Sequence, residues 1–312
     1  MNWTPIGISG NYFNGIFDGC GHEVSGLNVS GGGYKGLFAY NSGTIRNLRV
    51  DGAVSALSYV GGIVGRNFGT IENCISNVNV TIDGSNGGGI AGENQGTISG
   101  CTSSGDVVSS NGVIGGIVGT NSQGTIIDCI NGGTVSTSNS SGTIGGIAGD
   151  NAQGTISGCT NNGTVSGGTP AGGIAGINSG SIRILIYAEV INCTNSGAVS
   201  GSRYVGGIIG EVGELSTVKG CVNSGSVDAI GNVSNSSHVT IENCLSASEA
   251  AVINGDEEAL AQALEDNGFE TLEGTYARGD EISLNAAGTI SSGITLTYTL
   301  TTESANDSFR CV

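Results

Sequence analysis

Proline, charge and histidine are scarce in this chain, and each scarcity excludes a class of protein. Two prolines and no Gly-X-Y period exclude a collagen helix. Charged residues make up 11% of the chain, about half of the usual share, so long solvated helices and coiled coils are not expected. No apolar run approaches the roughly 18 residues of a membrane span, and no signal peptide follows Met1. The two histidines, His22 and His238, provide no Ser-His-Asp or Cys-His arrangement for catalysis.

Basic residues are the scarcer charged type, with 9 Lys and Arg against 26 Asp and Glu and a net charge of -17. Such a charge repels phosphate backbones and anionic lipid surfaces, so neither nucleic-acid binding nor membrane insertion is expected. The same charge keeps a glycine-rich β protein soluble and monomeric. We therefore expect an acidic monomer.

Glycine, by contrast, is abundant, with 59 residues, and it recurs in a repeat. The run Gly61-Gly62-Ile63-Val64-Gly65 returns 27 to 34 residues apart. The later runs begin at Gly88, Gly115, Gly145, Gly172 and Gly206. Each run leads into a second element, such as Thr70-Ile71-Glu72-Asn73-Cys74, and a third element of alternating residues follows the cysteine. Internal repetition of this length is typical of solenoid proteins.

Period-two patterning interrupted by Gly and Asn predicts short strands joined by bends. Ile71 and Cys74 are three positions apart, so the chain must bend between them if both face inward. Three such strands per repeat describe one coil of a parallel β-solenoid, with coils stacked about 4.8 Å apart. We predict an all-β, right-handed parallel β-solenoid of about eight or nine coils over residues 1–248. The handedness follows the general bias of parallel crossovers.

The two ends of the solenoid differ from its repeats. Residues 1–35 are predicted to be N-terminal capping coils. Nine of the fifteen aromatic residues lie in the first 68 positions: Trp3, Tyr12, Phe13, Phe17, Tyr34, Phe38, Tyr40, Tyr59 and Phe68. They are interpreted as plugs for an open solenoid end, with a carbohydrate-stacking patch as the functional alternative. Residues 249–312 are predicted to form a small cap with an amphipathic helix at 256–267 and β-strands, or the start of a further module.

Seven of the nine cysteines take the same place in successive coils, and two leucines take it in the first two. The predicted structural ladder is Leu27, Leu48, Cys74, Cys101, Cys129, Cys159, Cys193, Cys221 and Cys244. Because the place accepts leucine, we interpret it as an inward apolar position with free thiols. Disulfides between neighbours are the alternative, although parallel Cβ vectors strain the bond. No CxxC pair occurs, so neither a metal nor another cofactor is expected. Cys20 and Cys311 lie off the ladder and either pair or remain free.

Three further columns follow from the repeat. Alternation within residues 61–67 places Asn67 inside and both Val64 and Arg66 outside. The asparagine place should stack as a buried amide ladder of Asn67, Asn94, Asn121, Asn151 and Asn178. The valine place should form an outer apolar stripe, open to a partner or covered by the C-terminal helix. The arginine place carries Glu93 and Asp150 two coils apart, about 10 Å, which is marginally long for an inverting glycosidase pair.

These motifs resemble the GLUG-motif family of bacterial surface proteins. Residues 3–7 (Trp-Thr-Pro-Ile-Gly) and 13–19 (Phe-Asn-Gly-Ile-Phe-Asp-Gly) are similar to the usual entry of that family. Gly36-Leu37-Phe38 and the Gly-Gly-Ile-Val/Ala-Gly runs are similar to its core motif. The resemblance covers residues 1–248 and implies a secreted or wall-attached, adhesin-like protein. Opening inside the entry motif suggests that upstream sequence is missing, and no wall-sorting signal is seen.

The family's repeats also occur beside the protease domain of IgA-specific metallopeptidases. That activity is not implied here, because Gly26 stands where a second histidine ligand would follow His22.

The sequence therefore predicts a non-catalytic adhesion or display module, extracellular or on the bacterial cell surface. Binding would come from stacked outward side chains and from an inserted loop at residues 183–189. The expected partner is a host or bacterial surface glycan or protein. Two alternatives stay open. One is a carbohydrate-active β-helix enzyme, resembling a polysaccharide lyase or glycosidase, in which Glu93 or Asp150 acts. The other is a purely structural spacer.

Overall fold

The computed structural model describes residues 2–225, 227–234 and 238–246, and the backbone of four strands between 273 and 310. The first set forms an all-β parallel solenoid of about eight turns. Strands one repeat apart pair in parallel and in register, as Thr70 does with Thr97 and Ile71 with Ile98. The fold class predicted from the repeat is confirmed, and the right-handed sense stays a prediction.

The turns contribute strands to four sheets, where the sequence predicted three, and the six central turns have a strand in each sheet. In one turn these are Val60–Gly61 in sheet I, Val64–Asn67 in sheet II, Thr70–Glu72 in sheet III and Ile75–Ile82 in sheet IV. The strand that was missed is two residues long, too short to show a period. In the fourth to seventh turns the sheet IV segment divides into two short strands.

The strands of each sheet follow one another turn by turn. Sheet I contains Val60–Gly61, Gly87–Gly88, Val113–Gly115, Thr143–Gly145, Ala171–Gly172 and Val205–Gly206. Sheet II contains Phe38–Asn41, Val64–Asn67, Ala91–Asn94, Val118–Ser122, Ala148–Ala152, Ala175–Ser179, Ile209–Val212 and Ile230–Val233. Sheet III contains Ile16–Asp18, Thr44–Arg46, Thr70–Glu72, Thr97–Ser99, Thr125–Ile127, Thr155–Ser157, Ala188–Ile191, Ser216–Lys219 and Val239–Glu242. Sheet IV contains Glu23–Gly31, Arg49–Ala56, Ile75–Ile82, Thr102–Ser103, Val107–Ser109, Ile130–Asn131, Val135–Thr137, Thr160–Asn161, Val165–Ser166, Thr194–Asn195, Val199–Ser200, Val222–Asn223 and Leu245–Ser246.

The described C-terminal strands form two antiparallel pairs. Glu273–Thr275 pairs with Ser308–Arg310, and Glu281–Asn285 pairs with Thr295–Thr299. The predicted helix at 256–267 lies outside the described residues, and the arrangement of 249–312 as a cap stays a prediction.

The bend between sheets III and IV is made by one left-handed residue in every turn. The residues are Asn47, Asn73, Gly100, Asp128, Gly158, Asn192, Gly220 and Asn243, with φ between 51° and 62°. Asn, Asp and Gly tolerate this conformation better than other residues. The bend turns the chain so that Ile71 and Cys74 both have no exposed surface, as their spacing predicted.

The cysteine place is buried and its thiols are free. Cys74, Cys101, Cys129, Cys159, Cys193 and Cys221 have no exposed surface, and Cys244 in the last turn is partly exposed. Each thiol donates to the carbonyl oxygen two positions earlier, as Cys74 Sγ does to Glu72 O at 3.3 Å. A hydrogen bond with Cys101, followed by burial, raises the pKa of the Cys74 thiol. Cys74 is therefore a protonated, unreactive part of the core.

One member of the predicted ladder is wrong. Leu48 is level with Cys74, since Arg49 pairs with Ile75. Leu27 is buried but pairs with Gly52, after a register shift between Val24 and Leu27. Ile16–Asp18 pairs with Thr44–Arg46 as its counterpart in the first turn. Since Glu23 pairs with Arg49, His22 is level with Leu48, and Leu27 lies about five residues further along the chain.

The predicted outer apolar stripe is also wrong. Val64, Ala91, Val118, Ala148, Ala175 and Ile209 have no exposed surface and belong to the hydrophobic core. The amide groups of Ile63 and Val64 both donate to Ile90 O, at 3.1 and 3.0 Å. Two successive donors to one acceptor break the strict alternation of a strand, as at a β-bulge. Both side chains therefore face the core.

Two buried amide ladders cross the solenoid. The predicted ladder continues back to Asn41, and each Nδ2 in it from Asn41 to Asn151 donates to the next Oδ1 at 2.7–2.9 Å. A second ladder in sheet IV joins Asn131, Asn161, Asn195 and Asn223 at 2.8–2.9 Å. The second ladder was missed, although its signal is visible in the sequence as asparagine two positions after cysteine.

Candidate functional site

Phenylalanine side chains fill the interior of the first turns. Phe38 has no exposed surface, and its ring centroid lies 5.1 Å from Phe13 and 5.4 Å from Phe17. These tilted and edge-on contacts are typical of aromatic packing in a core. Trp3 is 44% exposed. Of the nine aromatic residues predicted to plug the solenoid end, three thus clearly contribute to its interior.

The tyrosines of the same turns lie on the outside, in what we name the aromatic surface: Tyr12, Tyr34, Tyr40, Tyr59 and Phe68. Tyr34 and Tyr59 stack between neighbouring turns with centroids 4.8 Å apart and planes within 1°. The stack runs on from Tyr34 to Tyr40 at 4.8 Å, from Tyr40 to Tyr12 at 5.0 Å and from Tyr12 to Phe68 at 5.3 Å. All but Tyr40 are partly exposed. The result is a continuous ring stack that reaches solvent.

The backbone arrangement explains why these residues meet. Tyr40 and Arg66 share a column in sheet II, while Tyr34 and Tyr59 occupy the left-handed position before sheet I, with φ of 58° and 53°. The two columns lie side by side around one turn, although they belong to different strands of the repeat. The sequence showed that aromatic residues gather in these turns, but the neighbourhood of the columns depends on how the chain closes a turn.

Arg66 adds a positive charge to the aromatic surface. Its guanidinium carbon lies 4.8 Å from the ring centroid of Phe68 and 6.0 Å from that of Tyr59. Arg66 Nη2 donates to Glu93 Oε1 at 3.1 Å, and its Nε lies 2.8 Å from Glu93 Oε2. The cation–π contacts and the ion pair hold the Arg66 side chain in one conformation. Its guanidinium group therefore loses little further conformational freedom when a ligand binds.

The aromatic surface combines apolar rings with hydroxyl groups and one cation. Burial, and then the neighbouring hydroxyl of Tyr34, raises the pKa of Tyr40 above its ordinary value of 10.0. The Tyr40 hydroxyl therefore stays protonated and can both donate and accept at neutral pH. Tyrosine rings with solvent-exposed edges supply contact area at a low cost in conformational entropy. The hydroxyl groups and the guanidinium group supply directional hydrogen bonds.

The two carboxylates considered for catalysis are in different environments. They are two turns apart in the Arg66 column, as predicted, with Thr120 between them. Glu93 is 6% exposed and, besides Arg66, accepts from Gln95 Nε2 at 2.7 Å. Asp150 has no hydrogen bond or ion pair among the described residues, and burial raises its pKa to about 6. Of these two residues, Asp150 is therefore the one whose carboxyl group is unpaired.

Substituting Asp150→Asn should stabilise the protein near neutral pH. The folded pKa of about 6 lies above the ordinary 3.8, so the folded state binds this proton more tightly than the unfolded state. The contribution of this proton to the free energy of unfolding is full below pH 4 and is lost as the pH rises through 6. The amide does not ionise, so the variant should gain about 3 kcal/mol near pH 7 and little near pH 4.

The measurement is urea unfolding at both pH values, with Asp83→Asn as a control that removes a charge from an exposed position. An Asp150→Asn variant no more stable than wild type at neutral pH would contradict the expectation.

The predicted insertion leaves the coil as a short hairpin. Ser181 N donates to Ile186 O at 2.8 Å and Ile186 N to Ser181 O at 3.2 Å, between the sheet II and sheet III strands of one turn. The loop starts at Ser181, two residues before the predicted range of 183–189. Glu189 itself lies in sheet III, level with Thr155.

Comparisons with known proteins agree with the repeat. Residues 56–81 match the family described as the GLUG motif, and this span covers one turn with a strand in each sheet. The chain therefore carries the motif that its sequence resembled. A "Putative Gly-rich membrane protein" of Evansella cellulosilytica is 37% identical over 79 residues, which is 23% of this chain and 9% of that protein. No solved structure shows a significant match. The described part of the chain contains no helix long and apolar enough to cross a membrane.

Proposed function

We propose that this chain is a non-catalytic adhesion or display module of a bacterial surface and that its aromatic surface binds a glycan. The GLUG repeat and the β-solenoid fold fit a surface or structural β-helix protein. The observation that carries the finer proposal is the outward ring stack beside Arg66. Phe13, Phe17 and Phe38 already fill the interior of these turns, so the exposed tyrosines are not required to plug the end.

The chemistry of a glycan suits this surface. Sugar rings present C–H faces that pack on aromatic side chains, and their hydroxyl groups pair with phenol and guanidinium groups. The Arg66–Glu93 ion pair holds the cation in place before any ligand arrives, which lowers the entropy cost of binding. The acidic net charge of -17 favours neutral glycans over strongly anionic ones.

A glycan panel tests the proposal, with Tyr59→Ala as the main variant. Tyr59 stacks on Tyr34 and faces Arg66, so its loss should weaken binding about tenfold to thirtyfold. Tyr204→Ala is the matched control, because Tyr204 is also partly exposed and takes the same left-handed position before a later sheet I strand, with φ of 52°. It should bind like wild type.

Each result of the panel has a clear meaning. Equal losses in the two variants, or no binding by wild type, would reject the aromatic surface as the site; no ligand at all would favour a structural spacer. Glycan turnover that Glu93→Gln or Asp150→Asn abolishes would favour an enzyme instead.

A further inference from the structure

The hairpin at residues 181–187 is the most apolar exposed segment of the described chain. Its large apolar side chains are exposed by 36–74%: Ile182, Ile184, Leu185, Ile186 and Tyr187. Elsewhere in the solenoid, large apolar side chains with this exposure occur mostly singly, as at Ile16 and Leu57. A cluster of this kind on a soluble surface marks an interaction site.

The hairpin is held firmly at its base and contributes nothing visible to the core. Gly180 N donates to Glu214 O at 2.8 Å, Ile182 N to Glu214 Oε1 at 3.2 Å and Ala188 N to Leu215 O at 3.0 Å. The core resumes at Ala188, which has no exposed surface. Polar residues at the tip would therefore serve folding equally well, and the apolar composition requires another reason.

The composition of the hairpin fits a lipid interface. Ile182, Ile184 and Leu185 lie in the turn of the hairpin together with exposed Arg183, and Leu185 is exposed by 74%. Exposed Tyr187 lies at the base of the hairpin. Tyrosine settles at the headgroup level and arginine extends its charge to water. Residues 181–187 contain no acidic side chain. The segment is convex and reaches about 10 Å, enough for the interfacial layer but far too short to span a bilayer.

The charge of the chain restricts the kind of bilayer. A net charge of -17 repels anionic lipid, so an electrostatic mode of membrane binding is unavailable. We propose that the 181–187 hairpin inserts its apolar tip into the interfacial layer of an electrically neutral lipid bilayer. This contact docks the solenoid on a lipid surface without a membrane-spanning segment.

The contact is separate from the aromatic surface. Four turns, or about 19 Å, lie between the turn of Phe68 and the turn from which the hairpin leaves. Loss of one site should therefore leave the other intact.

Flotation of the full chain with phosphatidylcholine vesicles tests the proposal. Wild type should float, and Leu185→Asp should lower the partition coefficient at least about tenfold, because it replaces the most exposed apolar group with a charge. Ile16→Asp is the matched control, since Ile16 is 71% exposed in the first turn and outside the hairpin; it should float like wild type. Adding phosphatidylglycerol should weaken binding at low salt. Tyr59→Ala should float normally, which separates this test from that of the glycan site.

Several outcomes would overturn the proposal. These are absence of flotation, equal losses in Leu185→Asp and Ile16→Asp, and stronger binding with phosphatidylglycerol. A dimer by light scattering that Leu185→Asp dissociates, without vesicle binding, would assign the hairpin to a second copy of the chain. Circular dichroism of each variant checks that the solenoid is folded.

Discussion

Gly145→Ala is expected to destabilise the solenoid by about 3 kcal/mol or more. The added Cβ would fall on the carbonyl oxygen of Ala148 and lie 2.8 Å from the amide nitrogen of Gly176. Both are backbone atoms of sheet II strands, so neither can rotate away as the end of a side chain would. The strands on both sides are fixed by pairing with the next turns, so relief of the overlap must disturb several turns at once.

The same overlap recurs at the first glycine of every run. An added Cβ would meet the carbonyl oxygen three positions later at Gly61, Gly88, Gly115, Gly172 and Gly206. The close approach of sheets I and II therefore explains why the run begins with glycine in each of these turns.

Urea unfolding followed by far-UV circular dichroism measures the effect. The control is Gly132→Ala, because the atom nearest to its added Cβ is Ser103 O at 3.8 Å and Gly132 is exposed. That variant should stay within about 0.5 kcal/mol of wild type. If both variants lose the same stability, the backbone overlap is not the reason why each run begins with glycine.

Asn121→Ala is expected to cost about 3 kcal/mol or more. Asn121 has no exposed surface; its Nδ2 donates to Gly124 O at 2.9 Å and to Asn151 Oδ1 at 2.8 Å. Its Oδ1 accepts from Asn94 Nδ2 at 2.9 Å. Alanine would leave these three partners buried with a bond missing, and each buried polar group without its partner costs about 1–3 kcal/mol.

A second substitution at the same position separates polarity from volume. Asn121→Asp keeps the size but, when ionised, loses both donated bonds and buries a charge, so it should be less stable than the alanine variant at neutral pH. Burial raises the pKa of such a carboxyl, so stability should recover partly as pH falls. Asn111→Ala, at an exposed position, should change little. Equal stability of the three variants would mean that the amide ladder contributes nothing specific.

The repeat alone identified most of the columns. Residues one repeat apart must share an environment when strands pair in register, and this predicted the cysteine place from Leu48 to Cys244 and the amide ladder from Asn67 to Asn178. The prediction failed where local backbone geometry departs from regular alternation. Bifurcated bonding to Ile90 O turned Val64 inward. In the first turn, the link between the sheet III and sheet IV strands is four residues long instead of two, so the cysteine place does not fall on Leu27. Hydrophobic periodicity carries no record of either irregularity.

The candidate sites were less predictable than the core. The sequence showed an aromatic-rich N-terminal region and an insertion, but not which aromatic residues would lie inside and which would form the aromatic surface. Nor did it show that Arg66 would sit between Phe68 and Tyr59 while pairing with Glu93. For the hairpin, an apolar segment such as residues 182–187 reads equally well as a core strand, and only its exposure in the fold distinguishes the two.

The amino-acid sequence by itself determined which residues stack on one another, because a repeat of one turn aligns chemically equivalent positions along the solenoid axis. Only the tertiary structure decided which columns stand side by side around a turn and which side chains reach solvent. Those relations depend on where the backbone forms β-bulges and bends as it completes a turn. Hydrogen bonds between turns set these positions, and the residue pattern within one turn does not.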